Sequence, residues 1–186
     1  MNNSKPHPSE ESMSHAFVDE SKAKDYFLMA ALIHHGDLQR IRLALKSLCL
    51  KNQTYFHMTK ERDSQRKKIL TKIVELGISV HIYRATTDNR SQIEARKACL
   101  HALLSDLLSY RVGNLCLEQD ETMDGRDRRV ISEFLGSHQA RERLTYDHRK
   151  ASSEILLSIP DAVGWAWAKG GHWRKMVETI VTEIDV

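Results

Sequence analysis

Apolar and polar positions fall in blocks along the chain, and each block predicts one element. His15-Ala16-Phe17-Val18-Asp19-Glu20-Ser21 is a β-prone run that closes in polar residues. Tyr26 to Ile33 is apolar without interruption. That is short for a helix and predicts a strand buried on both faces, paired with the first as a hairpin. Gly36-Asp37 then opens a helix with Leu38, Ile41, Leu45 and Leu48 on one side. Tyr55-Phe56-His57-Met58 predicts a short strand. Glu61 to Leu76 predicts a helix with Ile69, Leu70, Ile73 and Val74 inward, closed by Gly77. Ile78, Val80 and Ile82 alternate with Ser79, His81 and Tyr83, the period of a strand.

Further along, Ile93, Leu100, Leu103, Leu104, Leu107 and Leu108 lay an apolar stripe on a long helix. Val112 to Glu118 predicts a strand, Asp127 to Leu135 a helix and Leu144 to Tyr146 an extended segment. From Asp161 onward the pattern predicts two helical segments to the end of the chain. Two early strands followed by helix–strand alternation predict an α/β fold with a mixed sheet. Right-handed crossovers would make its later strands parallel.

Composition narrows the class. The 186 residues are 41% hydrophobic with a formal charge of +3, as expected of one globular domain rather than a disordered chain. Residues 1–14 lack an apolar stretch and read as a tail, leaving residues 15–186 as a single domain. No run of eighteen apolar residues predicts a membrane span. Cys49, Cys99 and Cys116 are far apart in apolar segments, as in reduced core thiols of a cytoplasmic protein.

Several chemistries lack their motifs. There is no phosphate-loop G-x-x-x-x-G-K, no G-x-G-x-x-G after a strand, no G-x-S-x-G elbow and no zinc-type histidine pair at i, i+4 with a third ligand. What remains is acidic residues at the ends of elements. Asp19 and Glu20 end the first strand, Glu118 ends the last clear one with Asp120 just beyond, and Asp161 follows Pro160 at a helix start. Ligands of an open α/β sheet bind at the carboxyl edge of its strands. Carboxylates converging there repel, and a hard divalent cation, Mg2+ or Mn2+, relieves the repulsion. Such ions support phosphoryl displacement.

These residues resemble those of a large bacterial ribonuclease H-like family of unknown function that opens with a D-E-S signature. The likeness rests on Phe17-Val18-Asp19-Glu20-Ser21, the apolar Tyr26-Phe27-Leu28-Met29, the segment carrying His57, the acidic end of Leu115-Cys116-Leu117-Glu118, and Ile159-Pro160-Asp161-Ala162-Val163-Gly164-Trp165-Ala166. It is greatest to an actinobacterial-type branch with D-R-D-R-R-like and D-W-R-R-like runs, here Gly125-Arg126-Asp127-Arg128-Arg129 and Gly171-His172-Trp173-Arg174-Lys175. The resemblance implies a ribonuclease H-like mixed sheet flanked by helices and a metal-dependent nuclease site of Asp19, an acid near Glu118, and Asp161. Where the family often has Gly-Asp after D-E-S, this chain has Lys22-Ala23-Lys24-Asp25. Where the family commonly has Asp at the later strand end, this chain offers Glu118 or Asp120.

The bland alternatives are ordinary ones: a strand-end turn for Asp19, a helix-start carboxylate for Asp161, and a core histidine for His57. Glu20, facing away from Asp19 in a regular strand, is a second-choice ligand. His57 is a candidate for orienting substrate or for catalysis. Lys67 and Lys68, with Arg62 and Arg66, and separately Arg126, Arg128 and Arg129, could contact nucleic-acid phosphates or form solvated helix faces. Trp165 and Trp167 lie about 200° apart on a helix and suit core packing. Two functions follow: a Mg2+- or Mn2+-dependent nuclease acting on RNA or DNA, or a non-catalytic ribonuclease H-like module binding nucleic acid or a protein. An apolar C-terminal helix offers a homodimer surface.

Overall fold

The computed structural model describes residues 14–22 and 25–186. The expected tail therefore lies outside the described residues, except Ser14, which is the first residue of a strand. That strand, β1 (Ser14–Lys22), forms a hairpin with β2 (Tyr26–His34), paired antiparallel from Ser14 opposite His34 to Lys22 opposite Tyr26. The remaining strands are β3 (Ser79–Ala85), β4 (Val112–Glu118), β5 (Thr145–Arg149) and β6 (Val181–Asp185). They form one six-stranded sheet in the order β5-β4-β1-β2-β3-β6. Only β2 runs against its neighbours: β3 pairs with it antiparallel, while β1 with β4, β4 with β5 and β3 with β6 are parallel. The mixed sheet with parallel later strands is as the sequence predicts.

Helices cover both faces. They are α1 (Leu38–Lys46), α2 (Asp63–Glu75), α3 (Gln92–Ser109), α4 (Asp124–Ser137), α5 (Ser158–Lys169) and α6 (Gly171–Val177). On one face Met29, Ala31, Val80 and Ile82 pack with Ile41 and Leu45 of α1, Ile69 and Ile73 of α2, Ala162 and Val163 of α5, and Trp173 of α6. On the other, Val18, Leu28, Ala30 and Tyr83 pack with Leu100, Leu103 and Leu104 of α3 and Ile131 and Phe134 of α4. The alternation in β1 and β2 thus assigns odd-numbered residues to the α5 face and even-numbered ones to the α3 face. Gly164 lets α5 approach β2 closely: a Cβ there would stand 2.3 Å from Met29 Cε.

Five local expectations are corrected. The first strand does not end at Asp19 and Glu20: β1 stays paired with β2 as far as Lys22, so both acids lie inside it. Tyr55 to Met58 is not a strand; His57 is extended and leads into a 3-10 turn over Met58–Lys60. Phe56 and Met58 are both buried, which imitates a strand's period without a pairing partner. The chain ends in strand β6 after the two expected helices, and α5 begins at Ser158, before Pro160. Ile93, placed on the apolar stripe of α3 by the sequence, is 47% exposed. The tryptophans pack as expected, with Trp167 buried under the Arg174 guanidinium and Trp165 edge-on to Trp173.

Candidate active site

The parallel β1–β4 pair sets the geometry. Phe17 lies opposite Cys116 and Val18 opposite Leu117, so the next step brings Asp19 beside Glu118. Phe17 and Cys116 belong to the core on the α5 face. By the two-residue period Asp19 and Glu118 share that face. Helix α5 packs on β1 and β2 there and carries Asp161 in its first turn. Burial, the charges of Glu118 and Asp161 and a hydrogen bond with Glu118 push the Asp19 carboxyl well above the usual range, against the pull of Arg96.

Burial also raises Asp161, opposed by the hydrogen bond its Oδ2 accepts from Met58 N at 2.9 Å and by nearby His57. The Nδ1 of His57 is 3.6 Å from Asp161 Oδ1 and 3.0 Å from Thr59 Oγ1. The loop after residue 54 therefore contributes a backbone donor and an imidazole to Asp161 instead of a sheet strand. The structure brings Asp19, Glu118, Asp161 and His57 into one neighbourhood. The oxygen-only set of three acids suits a hard cation in kind. Among the described residues, however, no three His, Cys, Asp or Glu side chains are gathered as a finished metal centre.

The two alternative acids have other partners. Asp120 accepts from Thr122 N at 2.9 Å and Thr122 Oγ1 at 2.6 Å, and lies 3.6 Å from Lys22 Nζ. The Thr122 bonds hold its carboxyl below the ordinary range. Glu20 faces the α3 side, as the alternation predicts, and is bound by Arg96, by Tyr26 Oη and by Lys22 Nζ, the last at 2.6 Å.

Behind the site lies a buried ion cluster that the sequence reading missed. Arg96 of α3 donates through Nε and Nη2 to both oxygens of Asp127 at 2.7 and 2.6 Å, and through Nη1 to Tyr26 Oη at 2.6 Å. Asp127 also faces Nε2 of His148 at 3.4 Å, and the His148 side chain is only 1% exposed. A signal existed: Arg96 stands on the stripe of Leu100, Leu103 and Leu107, and Asp127 on that of Ile131 and Phe134. Charged residues on apolar stripes need buried partners.

The expected phosphate contacts divide between layers. Arg126, Arg128 and Arg129 are exposed on α4, and Lys67 and Lys68 are exposed on α2 across the sheet. They do not form one surface. A cleft of about 480 Å3 opens at the carboxyl ends of β1 and β4, lined by Asp19, Glu20, Arg96, Glu118, Asp120 and Lys150 among others.

Strand order, strand directions and two helical layers define an α/β protein with a ribonuclease H-like fold. A solved structure with this fold is that of ribonuclease HII from Archaeoglobus fulgidus, in its complex with PCNA. It superposes with a TM-score of 0.55 at 13% identity, over 89% of this chain and 75% of the other. No protein-family model and no curated protein matches the sequence. Among the described residues no helix is long and apolar enough to cross a membrane.

Proposed function

We propose that the chain is a Mg2+- or Mn2+-dependent nuclease that hydrolyses phosphodiester bonds of RNA or DNA in the cytoplasm. The observation that supports this is the nearness of Asp19 of β1, Glu118 of β4 and Asp161 of α5, the first two of which line an open cleft. These three residues would hold the ion, with Glu118 favoured over Asp120 because Thr122 and Lys22 already engage the latter. Bound Mg2+ or Mn2+ supplies charge neutralisation and Lewis-acid activation for the displacement. Met58 N fixes one oxygen of Asp161, and His57, 3.6 Å from the other, stands where it can move a proton beside that carboxylate. The buried Arg96 cluster orients the end of β1 by clamping Glu20, the residue after Asp19. The same reading places the chain with the D-E-S family and its D-R-D-R-R branch.

The Met58–Asp161 hydrogen bond favours a second reading, in which that carboxylate only ties α5 to the preceding loop. The chain would then bind nucleic acid or a protein without cleaving it. One experiment separates the two. Labelled RNA, DNA and hybrid oligonucleotides are incubated with millimolar Mn2+ or Mg2+ or with EDTA, and melting temperature is followed under the same conditions. Metal-dependent cleavage with a raised melting temperature supports the nuclease. A flat response to both ions with no cleavage sinks it.

A further inference from the structure

The cleft beside Asp19 presents a problem for a nuclease, and one side chain answers it. Its lining carries Asp19, Glu20, Glu118, Asp120 and Glu121, a poor setting for a phosphodiester anion. The cations in that lining are Arg96 and Lys150. Arg96 is engaged by Asp127, Glu20 and Tyr26. Lys22, close by, is paired with Glu20 and Asp120. Among the described residues the Lys150 ammonium has no ion pair or hydrogen bond.

Position supports the same residue. Strand β5 runs parallel to β4 with Arg149 opposite Glu118, and Gln119 N donates to Arg149 O at 2.9 Å. Lys150 therefore follows at the carboxyl edge, one step beyond Glu118. Its carbonyl accepts from Ser153 N at 2.8 Å and Glu154 N at 3.1 Å, so the backbone is fixed while the side chain is free. We infer that Lys150 is a substrate-binding residue whose ammonium takes a non-bridging oxygen of the phosphodiester presented to Asp19, Glu118 and Asp161. A lysine suits this task, being a mobile point charge with three donors. The exposed arginines of α4 lie along the helix instead and add only a general attraction.

This inference rests on the nuclease reading, and its test is built to tell the two apart. Wild type, Lys150→Ala and Lys150→Arg are compared in Mn2+ with hydrolysis-resistant, N3′→P5′ phosphoramidate-linked 16-nucleotide RNA and DNA probes, which keep both non-bridging oxygens, by fluorescence anisotropy over a salt series. Their melting shifts in Mn2+ alone are measured in parallel. All three proteins should show the same Mn2+ shift. Lys150→Ala should bind the probe about tenfold more weakly, with a salt slope smaller by about one ion, and Lys150→Arg should restore both. Unchanged affinity and slope in Lys150→Ala, with the Mn2+ shift present, would overturn the role of Lys150 and leave the nuclease standing. A wild type with no Mn2+ shift and no probe binding would overturn the nuclease and the role of Lys150 with it.

Discussion

Asp19 and Glu118 stand side by side on the parallel β1–β4 pair, one step beyond Val18 and Leu117, and the charge of Glu118 helps burial to raise the Asp19 carboxyl. Two carboxyls in that relation hold a proton between them or repel, and the nearby Asp161 adds to the repulsion. On the proposed nuclease reading, a bound cation would relieve that repulsion.

Asp19→Asn removes one of those charges and keeps the shape. In EDTA its melting temperature should equal or exceed that of wild type, and the rise on adding Mn2+ should shrink together with any cleavage. An ordinary turn residue would behave oppositely, losing roughly 1 kcal/mol on substitution with no metal effect. Melting curves of both proteins with and without Mn2+ distinguish the two. A destabilised Asp19→Asn with a full Mn2+ response would remove Asp19 from the site.

The ion cluster under the site makes a larger and metal-independent prediction. Arg96→Met leaves Asp127 buried without its bidentate partner and takes one cation from Glu20. Breaking a buried pair from one side costs about 3–5 kcal/mol. Arg96→Met combined with Asp127→Leu should cost much less than the sum of the single changes, because no bare anion remains in the core. Urea unfolding of the four proteins measures it, and additive losses would show that the pair is not coupled.

Asp127 also gives acid stability a direction. Burial alone would raise its carboxyl, but the bonds from Arg96 and His148 outweigh it and hold the group below its ordinary 3.8. The unfolded chain then takes up the proton more readily than the folded one. The stabilisation is therefore fully present above pH 3.8 and lost as pH falls through the lower, folded value. Asp127→Asn should be less stable than wild type at pH 6 and should converge with it on acidification. Parallel stability curves for the two proteins, measured down to pH 3, would show the contribution to be absent.

The sheet was legible in the sequence because β2 is apolar without interruption from Tyr26 to Ile33, β4 holds the apolar run Leu115-Cys116-Leu117, and β3 alternates with a strand's period. Residues 26–33 announce β2, and Val112 to Glu118 gives β4 to the residue. Strand β6 was not legible: it is a sheet edge paired on one side, Thr182, Glu183 and Asp185 are exposed, and little of a strand pattern is left. Tyr55 to Met58 misled for the reverse reason, since Phe56 and Met58 are buried while the Met58 N–H is used by Asp161 instead of a ladder. Among the acids of the candidate site, Glu118 is the last residue of β4 and Asp161 lies in the first turn of α5, whereas Asp19 falls inside β1 and was readable because the run turns from apolar to polar there. Arg96 with Asp127 was not, as a bond spanning 31 positions leaves only a misplaced charge on each helix to betray it.

Gly164 links packing to the position of Asp161. In an exposed helix Gly→Ala gains about 1 kcal/mol. Here the new Cβ would stand 2.3 Å from Met29 Cε and 3.0 Å from its Sδ. Met29 is fully buried in the core, so its thioether cannot swing away without displacing neighbours. Gly164→Ala should therefore destabilise by roughly 1–3 kcal/mol. Because Asp161 lies one turn earlier on α5, lifting the helix from β2 should also weaken the Mn2+ response. Met29→Val shortens the opposing side chain, and in the double variant with Gly164→Ala much of both losses should return. Calorimetry with and without Mn2+ checks each step. A Gly164→Ala protein more stable than wild type would mean that α5 has room to spare against β2, and the close approach would not be what sets Asp161 in place.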